Sequence, residues 1–323
     1  MIDVIVLGAG SALELYGASL LATNRRVLVC DTVAERALKA ADDYNFQAVL
    51  PCIDAFPADA TVLNLTPPGL HGRSTIDLLQ RGHAVYSEKP AAHDRASLDR
   101  ILQLMSQGAR FAVAPDTHLS SAATKAKDVI ASGELGAVLT VRGTYSTRGH
   151  ELWHPRPFTF YGVGGGICLD IAPYFVRAVE VLVGPVSLQA VRRTLGSRPD
   201  LTPASMPAPV VPLRAEISLA TCNGSPIHFA LAYGTINSQS SLQFSFEDHD
   251  LIFDPVDSGS RLTLTKRSTG TMTILVCESD DCRGVGLDRF LAAEATDVFF
   301  GPDNGATLTR EQHLLLAINH EDT

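Results

Sequence analysis

Three groups of residues in this chain have the types and spacing that chemistry needs. The first is Gly8-Ala9-Gly10, followed by Ser11 and Ala12, with Asp31 placed 23 residues after Gly8. A residue without a Cβ allows a tight turn, and a second lets the backbone approach a pyrophosphate. A helix opening at Ser11 and Ala12 would turn free N–H groups toward that anion. A carboxylate at Asp31 would accept hydrogen bonds from the adenosine ribose and repel a 2′-phosphate, which favours NAD over NADP. The alternative for Asp31 is a plain helix cap. The third glycine of the usual pattern is replaced by Leu13.

The second group is Asn64-Leu65-Thr66-Pro67-Pro68, with His71 beyond it, and Ser87-Glu88-Lys89-Pro90. Each follows a short apolar run, so Thr66, Pro67, His71, Glu88 and Lys89 fall where parallel strands end and ligands bind. The proline after Lys89 keeps that residue extended and out of the next helix. By residue type alone, Lys89 could also be a surface lysine with Glu88 as its partner. The third group is Asp170 and Tyr174. Four residues apart, they share one face of a helix and could point into one cleft. Trp153 and His154 precede them, with an indole to stack on a ring and an imidazole to bond hydroxyls. A hydrophobic plug under the loop is the alternative for Trp153. His150 and His118 are lone loop histidines and are weaker candidates.

These residues need a frame, and the hydropathy pattern supplies one. Short Val-rich runs begin at Asp3, Arg26, Gln47, Thr61, His83 and Arg110, separated by helical stretches such as AERALKAADDYN. Six strands with helical crossovers make a doubly wound parallel sheet. After Thr117 the period changes to two in AVLTVRGTYS, SLQAVRRTL, LRAEISLAT, PIHFALAYG, SLQFSFE and RLTLTKR. One helix, Asp170 to about Leu182, interrupts them. The expected fold is therefore α/β plus α+β. A dinucleotide-binding Rossmann domain spans 1–117. An α+β substrate-binding and oligomerisation domain on a mostly antiparallel open-faced sheet spans 118–323. The proline-rich stretch RPDLTPASMPAPVVP reads as a loop, and the segments LDRFLAAEATDVFF and TREQHLLLAINH as helices. An open sheet suggests an exposed apolar face and a homodimer through it, with higher symmetry open.

Composition narrows the function classes. With 323 residues, about two domains are expected. The formal charge of -9 repels phosphate backbones, so nucleic acid is not an expected partner. No apolar run approaches the roughly 20 residues that cross a bilayer, and MIDVIVLGAG lacks a basic leader, so a cytoplasmic location is expected. The six cysteines are scattered without a CxxC, as buried thiols rather than a disulfide framework. Cys277 and Cys282 flank three acids but match no zinc spacing, and no metal is expected.

The NLTPP and SEKP segments, with GGGICLDIAPYFVRAVEVLVGPV from Gly164, resemble the Gfo/Idh/MocA family of oxidoreductases. GHELWHPRPFTFY from Gly149 and PDTHLSSAATKAKDVIASGELG from Pro115 are similar to a sugar-processing branch with WHPxP and DxGPYY motifs. The resemblance covers nearly the whole chain. It implies that Lys89 stands beside the nicotinamide and the reacting hydroxyl, facing a helix that carries Asp170 and Tyr174. Tyr174 stands where many members carry His, which departs from a simple imidazole acid–base role. The implied activity is NAD-dependent hydride transfer on a CH–OH group of a sugar, polyol or related small molecule. A glycosidase that oxidises its sugar transiently, and a non-catalytic sugar or dinucleotide sensor, are the alternatives.

Overall fold

The computed structural model describes residues 3–23, 25–152, 154–202, 204, 208–256, 261–277, 282–292 and 304–320. The chain divides into two compact units, Met1–Ala114 with Arg283–Gln312, and Pro115–Cys282 with His313–Thr323. The first division thus falls at Ala114, a few residues before Thr117, and a late segment returns to the first unit.

In the first unit the Val-rich runs become β1 (Val4–Leu7), β2 (Val27–Cys30), β3 (Ala48–Val49), β4 (Thr61–Asn64), β5 (Ala84–Ser87) and β6 (Phe111–Val113). All pair in parallel, in the order β3-β2-β1-β4-β5-β6. The order reverses between β1 and β4, the position at whose carboxyl ends ligands bind in sheets of this kind. Every residue of β1, β2 and β4 is buried, as expected of strands covered on both faces. The helices of this unit are α1 (Gly17–Ala22), α2 (Ala34–Asp43), α3 (His71–Gln80) and α4 (Arg95–Ser106). Asp94 caps α4 by accepting from the Ser97 N–H at 2.9 Å.

The second unit begins with α5 (Ser121–Ala131), capped by the Ser120 hydroxyl. Its sheet holds β7 (Thr140–Thr147), β8 (Val186–Gly196), β9 (Val211–Thr221), β10 (Pro226–Tyr233), β11 (Gln239–Ser245), β12 (His249–Phe253), β13 (Arg261–Lys266) and β14 (Thr271–Cys277). The order is β14-β13-β12-β11-β7-β10-β9-β8, antiparallel except for β7 with β10. Two helices follow one another between β7 and β8, α6 (Ile167–Asp170) and α7 (Ala172–Val183). Phe175, Val176 and Val179 of α7 share one core cluster with Ile217, Phe229, Leu242 and Phe244 of the sheet.

The late segment contributes α8 (Cys282–Ala292) and α9 (Asn304–His320). Leu287 and Phe290 of α8 enter the core of the first unit, where Phe290 tilts against Tyr86. Arg110 and Arg25 donate to the Phe290 and Leu291 carbonyls, closing the last turn of α8.

The outer face of the second sheet differs from expectation. Arg142, Arg214, Glu216 and His228 stand exposed there, between inward-facing Val141, Ala215, Ile217 and Phe229. The period of two placed charged and polar side chains outward, so across these central strands the face is not apolar. The described thiols are all free, but only Cys30 and Cys168 are buried; Cys52, Cys222 and Cys277 are exposed, contrary to the expectation of buried thiols. Residues 278–281 lie outside the described residues. Among the described residues no cluster of three or more His, Cys, Asp or Glu could hold a metal ion. No described helix is long and apolar enough to cross a membrane.

Candidate active site

The glycine turn leaves β1 with Gly8 at a φ of 101°, a region that favours glycine. A Cβ at Gly8 would stand 2.7 Å from the Leu65 carbonyl oxygen, so the turn packs backbone to backbone against the loop after β4. The chain then enters a 3-10 turn over Ser11–Leu15, and regular helix begins only at Gly17. Leu13, in place of the third glycine, is buried in the core of the first unit.

Asp31, at the end of β2, is committed to this turn. Its Oδ2 accepts the Ala9 N–H at 2.9 Å, and its Oδ1 accepts the Val33 N–H at 2.7 Å and the Arg36 Nη2 at 2.5 Å. Burial pushes its carboxyl pKa up, but Arg36 and the two backbone donors outweigh burial and hold it below the usual value. The carboxylate is ionised, with a guanidinium against it.

The loops after β4 and β5 are built on buried polar side chains. Asn64 donates to Ser74 at 2.9 Å and Thr75 at 3.1 Å, and accepts from the Thr66 hydroxyl at 2.8 Å. Glu88, nearly buried, accepts from the Tyr16 hydroxyl at 2.8 Å and from the Lys89 N–H at 3.1 Å. It is a brace for the loop that carries half-buried Lys89. His71 is 1% exposed. Its Nδ1 meets the Pro90 carbonyl at 2.9 Å and its Nε2 the Thr66 carbonyl at 2.5 Å. Placed inside, it lies between the two loops, with one ring N–H to donate while the ring is neutral. Thr66, Pro67 and Lys89 are more accessible.

In the second unit, Asp170 ends α6 and Tyr174 lies in the first turn of α7, both 7% exposed. The glycines before them serve the helix entry. Gly166 has a φ of 88°, and a Cβ on Gly165 would lie 2.4 Å from the Phe160 carbonyl oxygen. Asp170 Oδ2 accepts from His150 Nε2 at 3.0 Å and from the Tyr233 hydroxyl. His150 is buried and stacked on Phe160 at 3.7 Å between centroids. His154 packs edge-on against the same Phe160, and its Nδ1 accepts the Arg156 N–H at 3.0 Å. Burial depresses its imidazole pKa, with the fields of His150 and Arg156 adding to the effect. Beside this cluster, Glu151 accepts from Tyr161 at 2.8 Å and from Arg198 at 2.9 Å. Trp153 lies outside the described residues.

The described geometry therefore gathers Asp170, His150 and His154 on one side of the second unit, and groups Gly8, Asp31, Thr66, Glu88 and Lys89 with the strand ends of the first. Residue type and spacing gave no sign of Tyr16 as the partner of Glu88, of Tyr233 as a partner of Asp170, or of Arg36 on Asp31.

A doubly wound sheet with a glycine turn, an acid after β2 and a lysine after β5 defines a dinucleotide-binding oxidoreductase architecture. Residues 2–114 match the family model described as oxidoreductase family, NAD-binding Rossmann fold, and residues 123–243 match the GFO/IDH/MocA C-terminal domain. The chain belongs to the Gfo/Idh/MocA family of oxidoreductases.

Among solved structures, a 3-ketoreductase from Actinomadura kijaniata in complex with NADP and TDP-benzene is similar, with a TM-score of 0.80 and 16% identity over 98% of this chain and 96% of that one. A putative NADPH-dependent oxidoreductase from Desulfitobacterium hafniense has a TM-score of 0.77 and 17% identity, over 98% and 94% of the two chains. A UDP-N-acetylglucosamine 3-dehydrogenase from Acidithiobacillus ferrooxidans has a TM-score of 0.75 and 17% identity, over 98% and 96%. At these identities the likeness is one of fold. No curated protein matches the chain by sequence.

Proposed function

We propose that the protein is a nicotinamide-dependent dehydrogenase or reductase acting on a carbinol or carbonyl of a sugar, polyol or related small molecule. The observation that carries this is the glycine turn and the Lys89 loop, both at the carboxyl ends of a sheet whose order reverses between β1 and β4. The residues present fit a dinucleotide: Gly8 admits a close backbone turn where a Cβ would collide. Gly8, Gly10, Ser11, Ala12, Asp31, Thr66, Pro67, Glu88 and Lys89 would hold it, with His71 supporting the loops. A nicotinamide held there would supply the hydride exchange with the carbinol or carbonyl carbon.

The chain's own groups handle the substrate oxygen and its proton. The Lys89 ammonium donates a hydrogen bond to that oxygen, and Asp170 accepts from a substrate hydroxyl. To Lys89 or Tyr174 we assign the proton, taken up by the free amine or phenolate in oxidation and returned by the ammonium or phenol in reduction. His154 and Trp153 are assigned to the substrate hydroxyls and ring.

The coenzyme is NAD or NADP. Asp31 alone argued for NAD. The Arg36 guanidinium beside it weakens that preference, since a 2′-phosphate would meet a cation at the same rim. The similar structures described with NADP or NADPH support the same shift.

The deciding experiment is a screen of aldoses, polyols and keto-sugars with both coenzymes, followed by reduced-nicotinamide absorbance. Net coenzyme reduction or oxidation in step with product is expected. Product without net coenzyme change would instead indicate transient oxidation, and no turnover with any compound would overturn the proposal. With an active substrate, Lys89→Met should lower turnover about a hundredfold or more while the coenzyme still binds through the remaining residues. The pH profiles of Lys89→Met and Tyr174→Phe then show which group carries the proton.

A further inference from the structure

The Asp170 carboxylate is held by two donors that lie far from it in sequence. His150 follows β7 in a short 3-10 turn, 20 residues before Asp170. Tyr233 ends β10, 63 residues after it. Both reach the same oxygen, Oδ2. An oxygen that accepts from an imidazole N–H and a phenol O–H is best served by the ionised form of the acid, because hydrogen bonds to the charged form favour it.

The setting fixes the donors as well as the acceptor. His150 is stacked on Phe160, and the rings of Tyr161 and Tyr233 meet its edges at 6.5 and 5.1 Å. Its ring therefore has little room to flip, and Nε2 stays aimed at Asp170. Burial, with the Asp170 charge, pushes the Tyr233 phenol far above its ordinary pKa, so this group donates and does not ionise. The neighbouring acid, Glu151, is occupied by Tyr161 and Arg198. It does not compete for the imidazole in this arrangement.

We propose that His150 and Tyr233 are positioning residues that hold Asp170 as a fixed, ionised carboxylate, so that Asp170 serves the substrate as a hydrogen-bond acceptor and never as the acid. The kinetic consequence rests on the dehydrogenase function proposed above. The structural claim does not.

Two measurements on the full chain test it. In the first, the nitrogen resonances of labelled imidazoles are assigned by comparison with a His150 variant. The neutral form is expected to carry its proton on Nε2, and Asp170→Asn should change the His150 ring-nitrogen shifts. A proton on Nδ1, or ring-nitrogen shifts indifferent to Asp170→Asn, would overturn the proposal. In the second, turnover is compared in Tyr233→Phe, His150→Phe and His150→Gln. Losing one hydrogen bond to a charged group should lower kcat about 10- to 100-fold in the two Phe variants, with coenzyme KM unchanged. The Gln amide can still donate, so most of the activity should return in His150→Gln. Wild-type turnover in both Phe variants, or a loss in the Gln variant as deep as in His150→Phe, would overturn the positioning role. If the wild-type protein turns over none of the compounds screened, the redox function fails, and the nitrogen spectra still decide the state of the cluster.

Discussion

Asp31 and Arg36 show how one contact changes what a residue offers a ligand. Standing alone after β2, a carboxylate selects against a 2′-phosphate. Bonded to a half-exposed guanidinium, it becomes part of a pair whose arginine can turn to that phosphate. Arg36→Ala should therefore shift the ratio of kcat/KM for NADPH over NADH toward NADH by about tenfold or more, the scale of one charge-assisted hydrogen bond. An unchanged ratio would show that Arg36 serves Asp31 alone. The glycine turn and Asp31 could be picked out by their local spacing, whereas Lys89, Asp170 and Tyr174 stood out through the family resemblance. The partners that set their state did not stand out. Tyr16 reaches Glu88 across 72 residues and Tyr233 reaches Asp170 across 63, separations that only the folded sheets close. His150 looked like a solvated loop histidine because nothing near it in sequence shows that Phe160 and Asp170 enclose it.

The strands and helices divide by how strongly their hydropathy pattern is forced. Apart from β3, the parallel strands are apolar on both faces and were readable to within a few residues. So were β9 and β10, whose alternation is strict. The strands β12 and β14 escaped notice. HDLIF begins with two polar residues, and TMTILVC is mostly exposed along its length, as an edge strand without a well-buried face. The single helix expected from Asp170 proved to be α7, entered through the short turn of α6 with a break at Ile171. Its approach to the sheet depends on a residue with no periodic signature. A Cβ on Gly143 of β7 would lie 2.5 Å from Phe175 of α7 and 2.6 Å from Phe229 of β10. Both rings are fully packed, so neither can move without displacing its own neighbours. Gly143→Ala should cost about 1–3 kcal/mol by overpacking, read as a lower midpoint in thermal or denaturant unfolding. Gly143→Ala in a Phe175→Leu background should recover part of the loss. An unchanged midpoint in Gly143→Ala would mean that α7 does not press on the sheet at this point.

Across the whole molecule, the pH dependence of stability is set by a contest between buried bases and surface charge. Burial depresses the imidazole pKa of His71, against the Pro90 and Thr66 carbonyls that would raise it. Burial does the same at His83 and His154. The folded state thus keeps these rings neutral, whereas the unfolded chain protonates them near its ordinary value of about 6.5. Below that pH the unfolded state binds more protons, so stability present above about pH 6.5 is lost as the pH falls toward the depressed folded values. A second loss follows at lower pH. Asp31, Asp94 and Glu151 have carboxyl pKa values held below their ordinary ones, so their contribution is present above about pH 4 and fades as acid protonates them. The surface pulls the other way, since acidification from pH 7 toward the pI of about 5.5 relieves a net charge of -9. Exposed charges are screened beyond about 8 Å at physiological ionic strength, while the buried rings are not, so the histidines should dominate. The melting temperature at pH 5.5 in 0.15 M salt should accordingly lie a few degrees below that at pH 7.5, at about 2–4 °C per kcal/mol. Part of that slope should disappear in His83→Gln, whose side chain does not titrate. A melting temperature that climbs steadily toward the pI would show that charge relief outweighs the buried imidazoles.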